Sequence, residues 1–386
     1  MNPFELYNPT KLIFGTDAYS KIAKEIPINA KILMTYGGGS IKQNGVYAQV
    51  IEQLKGFEVI EFEGIEPNPT FETLSKAVEI IKKENINYIL AVGGGSVIDG
   101  SKFIAGAALY EGEDTWDIPQ KGIRVMKALP LATVLTLPAT GTESNSGAVI
   151  TNKATGEKLG MGGPALFPVV SFLNPEVIQS IPQRQLKNGI VDAYTHVLEQ
   201  YITYPNGAYL QDRFAESILK TLVEIAPKVI FEPYNYTVAA NYMWCCTMAL
   251  NGLLNKGVPT DWATHQIGHE LTALYEIDHA MTLAIIFPHL WKHKFENKKE
   301  KLAQYGKRIF GIQSGTVDEK AQRAIDKTVE FLHSIEVKTK LSEYTPNFEG
   351  TSEHVKRVFE SRNWTKLGER KDLTPDDAYA IVKMSY

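Results

Sequence analysis

Residues 31–40 read KILMTYGGGS and residues 87–96 read NYILAVGGGS. Each is an apolar run that ends in three glycines and a serine, and each is followed by a segment with helical spacing. That unit, repeated, is the cadence of a parallel sheet with crossover helices. Working outward, FEVIEF at 57–62 predicts another strand, and TFETLSKAVEIIKKEN at 70–85 predicts a helix opened by a Thr70 cap after Pro69. Downstream, VIDGSKFIAGAAL at 97–109 predicts a helix, PLATVLTL at 130–137 a strand, GAVITNKATGEKLGM at 147–161 hairpin-like pieces and PVVSFL at 168–173 a last strand.

Beyond Ile181 the texture changes to long helical periods, as in QLKNGIVDAYTHVLEQYI, RFAESILKTLVEIAPKVI and ANYMWCCTMALNGLL. The expected organisation is an α/β dinucleotide-binding domain with a Rossmann-like parallel sheet over 1–180, then an all-α metal-binding and substrate domain over 181–386. The charged run ENKKEK at 296–301 reads as a solvated helix face, and the stretch from about Gly315 is assigned only to the helical domain.

Length and composition fit two soluble globular domains, with 386 residues, 44% hydrophobic and 22% charged. A formal charge of −4 gives no field to hold a nucleic acid or an anionic membrane surface. No apolar run reaches the length of a membrane span, and Met1 to Gly15 has no leader pattern. The two cysteines, Cys245 and Cys246, are adjacent in an apolar stretch, which reads as reduced core thiols in a cytoplasmic protein.

Gly93-Gly94-Gly95-Ser96 sits between a buried-looking strand and a helix, where bare amides and the helix dipole can receive a pyrophosphate. The spacing is not the ordinary GxGxxG fingerprint, and a tight turn alone would also use these glycines. Asp99, one turn into the helix, is a candidate acceptor for a ribose or amide group. At Gly37-Gly38-Gly39-Ser40 no acid stands where a dinucleotide sheet commonly offers one to the adenosine ribose. Ser40 and Lys42 stand there instead, so NADP is favoured over NAD. The segment 136–145, TLPATGTESN, packs hydroxyls and an amide at a strand end, able to donate to the cofactor or to satisfy its own backbone.

Asp192 and His196 stand at i and i+4 in a helical period, so both emerge on one face and can grip one ion. His265, His269 and His279 form a second cluster, and five of the eight histidines fall between 265 and 293. Together they make a candidate divalent-metal site, although spacing alone does not choose which histidine stays free. His289 and His293 are a further i, i+4 pair, but Lys292 and Lys294 beside them read as an exposed face. Tyr242, Trp244 and Trp262 are candidates for an apolar substrate pocket or for plain core.

With these residues in hand, the chain resembles the iron-containing (group III) alcohol dehydrogenases, within the broader dehydroquinate synthase-like fold. The resemblance covers essentially the whole chain. It extends to the NADP-dependent butanol dehydrogenases and broad-specificity aldehyde reductases through TYGGGS, EPNPT, GGGSVIDG and LPATGTESN, in order and spacing. It implies metal ligation by Asp192 and His196 of the GxxDAxxH helix and by His265 and His279, with His269 unliganded in the proton path. It also implies that Gly94, Gly95, Ser96 and Asp99 face the pyrophosphate and nicotinamide side, completed by Thr136, Thr140, Asn145 and Lys158. Gly38, Gly39 and Ser40 would then face the adenosine end. Many family members carry TTAGTGSE where this chain has LPATGTESN, which puts contacts at Glu143 to Asn145 in doubt.

The expected activity is therefore NADP(H)-dependent interconversion of small aldehydes, such as butanal, and primary alcohols. The metal, iron or zinc, with nickel and manganese also compatible, would polarise the substrate oxygen. A dehydroquinate synthase-type lyase would need basic side chains near the metal, and GIVDAYTHVLEQ and THQIGHELTALYEIDH offer none. A non-catalytic NADP-binding regulatory protein is the third reading. The family's habit of forming oligomers implies a homodimer, and the strand-like LYNPTKLIFG at 6–15 could pair across its axis.

Overall fold

The computed structural model describes residues 1–386. Six strands form one sheet: β1 (Lys11–Phe14), β2 (Lys31–Tyr36), β3 (Glu58–Phe62), β4 (Tyr88–Gly94), β5 (Leu131–Leu137) and β8 (Val170–Leu173). Their order is β1-β8-β5-β4-β2-β3, and every neighbouring pair is parallel. Helices cover a parallel sheet on both faces, so its central strands lose their alternation. β2, β4 and β5 are buried almost residue by residue, which explains their unbroken apolar runs. The hairpin pieces form a separate antiparallel pair, β6 (Gly147–Asn152) and β7 (Glu157–Gly162).

Local chemistry sets the crossovers. The helix Phe71–Glu84 starts where Thr70 accepts the Thr73 amide at 3.4 Å, and it stops at Asn85 in the left-handed region, φ 54°. The helix Gly95–Ala108 follows β4 without an intervening residue. LYNPTKLIFG, expected to pair across a dimer axis, supplies β1, whose ladder partner is β8 of the same chain. β1 is short and lies at the sheet edge, so one parallel partner satisfies one side only.

The chain forms two compact units. The sheet unit contains Tyr7–Pro182 and Tyr234–Asn251, and the helical unit contains Met1–Leu6, Gln183–Pro233 and Gly252–Tyr386. The change of texture near residue 181 predicts a single boundary, whereas the helix Tyr236–Ala249 returns to the sheet unit. It is tied there by polar contacts that no periodicity reveals. Tyr242 donates to the Pro138 carbonyl at 2.8 Å, and Thr247 donates to Glu143 at 2.6 Å.

In the helical unit, ENKKEK lies on the helix Phe295–Ile309, and its reading as a solvated face is corrected. Lys298 is 1% exposed and donates to Asp261 at 2.9 Å, to Glu369 at 3.0 Å and to the Ile202 carbonyl at 2.9 Å. Lys301 is also buried and donates to Asp212 at 2.6 Å. Acids from distant segments compensate both charges, which local charge counting cannot show. His289 and His293, read as exposed, are half-buried, because the helix His279–His293 is covered by the helix Pro375–Met384.

The start of Pro375–Met384 illustrates that covering contact. Asp377 accepts from the Thr374 amide at 2.7 Å and from the Thr374 hydroxyl at 2.8 Å, closing a capping box, and its Oδ1 lies 2.6 Å from His293 Nε2. Burial works to raise the Asp377 pKa, but His293 and Thr374 outweigh it and hold the group at about 2. A carboxylate depressed in this way stabilises the fold above its unfolded pKa, and that contribution disappears as pH falls through about 2. Asp377→Asn should therefore cost about 1 kcal/mol at neutral pH, a fall of roughly 1 °C in the Tm of a chain of this length. The gap from wild type should close between about pH 4 and pH 2 in thermal scans.

Candidate functional site

The helix Gln183–Tyr201 carries Asp192 and His196 one turn apart, 5% and 6% exposed. The helix Ala263–Tyr275 carries His265 and His269, and His279 opens the helix His279–His293. All five lie in the helical unit. From Asp192 Oδ1, the Nε2 atoms of His196, His265 and His279 lie at 3.7, 3.9 and 4.0 Å. These separations are too long for hydrogen bonds. They approach the spacing of about 3.4 Å between ligands that each sit roughly 2.1 Å from a tetrahedral ion.

Asp192, His265 and His279 offer ligand atoms all within 4.8 Å of one another. The His196 ring stacks on His265, with centroids 4.8 Å apart and planes 14° off parallel. Nε2 of His265 is buried with no hydrogen-bond partner in the protein, as a donor to a cation requires. The residues present therefore fit a divalent ion bound through nitrogen and oxygen. His269 stands beside this group, half-buried, its ring centre 4.9 Å from that of His279 and 6.3 Å from that of His265.

The electrostatics are uneven. Burial lowers the pKa of both buried rings, and at His196 it prevails and brings the value to about 4. At His265 the carboxylates of Glu199 and Asp192 overcome burial and raise it to about 9. Glu199 is the residue the sequence reading missed. Its carboxylate contacts His265 Nδ1, and its Oε1 accepts the Thr264 amide at 2.8 Å. The signal was its position seven residues after Asp192 and three after His196, on the same helix face. Of the three aromatic candidates, Trp262 stands with its ring centre 5.6 Å from that of His265. Tyr242 is fully buried core, and Trp244 packs edge-on against Phe14 at 5.8 Å, both in the sheet unit.

The dinucleotide candidates all belong to the sheet unit. Gly94 and Gly95 open the helix Gly95–Ala108, whose first amides have no partner in the helix. A Cβ at Gly94 would stand 2.8 Å from Leu137 Cβ, and one at Gly95 2.8 Å from Thr140 Cγ2. Glycine is thus required there by the adjoining strand end. Around Gly38 and Gly39 a Cβ would meet nothing within 4 Å, so that backbone is open, and Gly39 has φ 92°. Ser96, Thr136 and Thr140 are half-buried at the ends of β4 and β5, while Ser40 begins a short helical turn after β2 and is exposed. A polyphosphate ligand suits the open amides at this strand edge.

Asp99 and Asn145 have their polar atoms engaged by the protein. Asp99 accepts from the Thr142 hydroxyl at 2.6 Å and the Val149 amide at 2.9 Å. Asn145 accepts from Lys102 at 3.0 Å and donates to the Gly141 and Leu250 carbonyls, each at 3.1 Å. Lys158 donates to Asn68 at 2.8 Å. Lys102, which the sequence reading passed over, is completely buried and also donates to Thr142 at 2.7 Å and the Gly147 carbonyl at 2.8 Å. Burial lowers its pKa to about 8. The absence of an acid after β2 is also qualified, because Glu63 lies 2.9 Å from Lys42 Nζ.

Comparison with known proteins finds matches along both parts of the chain. Residues 9–175 match the family described as iron-containing alcohol dehydrogenase, and residues 187–386 match the C-terminal domain of the Fe-containing alcohol dehydrogenase family. The chain is 49% identical over 385 residues, 99% of each chain, to the NADPH-dependent aldehyde reductase YqhD of Escherichia coli. It is 42% identical, over the full length of both, to a probable NADH-dependent butanol dehydrogenase of Bacillus subtilis. A crystal structure of YqhD superposes with a TM-score of 0.97 at 47% identity, covering 100% of this chain and 99% of that one.

Removing the buried cation from the Lys102 network leaves the Thr142 hydroxyl, Asn145 Oδ1 and the Gly147 carbonyl short of a donor. Lys102→Met should destabilise the protein by about 3 kcal/mol, read as a lowered urea midpoint. Lys102→Arg should not restore the loss, since the three acceptors close on one ammonium inside a fully buried site and do not match the planar guanidinium fork.

Proposed function

The chain belongs to the iron-containing alcohol dehydrogenase family, and from that premise we propose an NADP(H)-dependent enzyme that interconverts small aldehydes, such as butanal, with their primary alcohols. The observation that supports this most directly is the convergence of three imidazole nitrogens on Asp192 Oδ1, between 3.7 and 4.0 Å. Asp192, His196, His265 and His279 hold one divalent ion, iron or zinc, with nickel and manganese also compatible with nitrogen and oxygen donors. When bound, the ion polarises the substrate oxygen and the reduced nicotinamide supplies hydride to the carbonyl carbon.

The remaining work falls to side chains. His269, beside His279 but not among the proposed ligands, moves the proton that the product alcohol oxygen needs. Trp262 presents an apolar ring next to the imidazoles and helps keep bulk water away. In the sheet unit, Gly94, Gly95 and Ser96 receive the pyrophosphate on the amides of their helix start. Thr136 and Thr140 contribute hydroxyls at the strand end, and Asn145, Asp99 and Lys158 hold the surrounding wall in shape.

Gly38, Gly39 and Ser40 take the adenosine end. Ser40 and Lys42 favour a 2′-phosphate, and the similarity to an NADPH-dependent reductase supports that choice, although other relatives are named for NADH. Glu63 must release Lys42 when the phosphate arrives. Two buried, unbridged thiols, Cys245 and Cys246, support a cytoplasmic setting. No helix is long and apolar enough to cross a membrane. The outer edge of β1, beside the exposed Tyr7, supports a homodimer, with sedimentation velocity as its test.

His279→Ala and Asp192→Ala should each lose stoichiometric metal by elemental analysis and lower NADPH oxidation with butanal by about a hundredfold or more. Retention of both metal and turnover in either variant would overturn the metal assignment. Lys42→Ala should raise KM for NADPH about tenfold, roughly 1.4 kcal/mol, and leave KM for NADH unchanged. Equal effects on the two cofactors would refute the 2′-phosphate role.

A further inference from the structure

We propose that Glu199 is the positioning residue that fixes His265 as a metal ligand, an inference that rests on the metal reading above. Glu199 is 4% exposed and reaches the Asp261–His265 segment three times. Its backbone carbonyl accepts the Asp261 amide at 2.9 Å, Oε1 accepts the Thr264 amide at 2.8 Å, and the other carboxylate oxygen accepts from His265 Nδ1. In a neutral imidazole whose Nδ1 proton is committed to a carboxylate the lone pair sits on Nε2, so a bound cation takes the place of the proton that the charged ring holds there. Nε2 is the His265 atom that faces Asp192 Oδ1 at 3.9 Å.

Charge balance points the same way. The other buried acid at this helix start, Asp261, is neutralised by Lys298, which Glu369 also clamps. No lysine or arginine lies within ion-pair distance of Glu199, and His265 is its ion-pair partner. Two buried carboxylates, Asp192 and Glu199, thus face the imidazole cluster from opposite ends of His265. A divalent cation on Nε2 neutralises both, one directly and one across the ring. His196 differs, since its Nδ1 is buried with no hydrogen-bond partner. The orientation of His265 is therefore imposed from outside the ligand set, and outer-shell carboxylates of this kind typically change metal affinity by about 10- to 100-fold.

The test compares wild type, Glu199→Gln and Glu199→Leu, each stripped of metal and titrated with Co2+ in a competing chelator. Gln keeps an acceptor oxygen but loses the charge, and Leu loses both. The expected result is a graded weakening of Co2+ affinity, about tenfold for Glu199→Gln and about a hundredfold for Glu199→Leu. The visible d–d bands of the Co2+ form should weaken in Glu199→Leu as His265 leaves the shell, while the NADPH dissociation constant stays within about twofold of wild type. If Glu199→Leu fails to fold, the near-isosteric Glu199→Gln carries the comparison by itself. Unchanged Co2+ affinity and spectrum in a folded variant, with wild type binding one ion, overturn this inference alone. A wild type that binds no ion overturns the metal reading and this inference together.

Discussion

A carboxylate buried among imidazoles is the constraint to which the helical unit answers. Asp192 is almost fully withdrawn from water, and an ionised carboxylate so placed is costly unless positive charge lies close by. Three ring nitrogens face it from three helices, and a divalent ion held among them would supply that charge. Their register follows from one i, i+4 spacing and from the helix starts at Ala263 and His279. The left-handed Trp262, φ 66°, turns the chain into the first of these starts, and Asp261 accepts the Ala263 amide at 3.0 Å to seat it. Backbone geometry, buried acids and ring orientation are one arrangement.

The sheet unit solves a different problem, which is to keep a loop rigid while leaving amides free. Lys102 gathers Thr142, Asn145 and Gly147 from within, and Asp99 fastens the loop to β6 through Val149. Polar groups inside this network are bonded to one another, whereas the helix start at Gly95 leaves its first amides without a helical partner and the Gly38–Gly39 backbone is sterically open. Rigid scaffold and unsatisfied rim are adjacent, which is what a preorganised anion site requires.

Much of this was legible in the sequence. Strands buried on both faces announce themselves as apolar runs, the glycine turns mark where they end, and Asp192 with His196 shares one helical face by spacing alone. Residue types whose meaning depends on distant partners were not legible. Lys298 and Lys301 look solvated until Asp261, Glu369 and Asp212 are brought to them. Glu63 follows β3, the strand beside β2, so a search confined to the turn after β2 cannot meet it. Glu199 carried a readable spacing, but its relation to His265 exists only once the chain has folded.

The helix Tyr236–Ala249 gives the molecule a timetable. Its Tyr242 hydroxyl and its Thr247 hydroxyl bond to the turn from Pro138 to Glu143, and its Cys246 carbonyl crowds Gly141, where an added Cβ would meet it at 3.2 Å. During synthesis the first 182 residues leave the ribosome without that helix. The nascent sheet can form early, but its 138–143 turn stays unfinished until about residue 251 has emerged. A fragment ending at Pro182 would thus carry an incomplete unit, and an interruption of translation between the two segments would expose the underside of that turn.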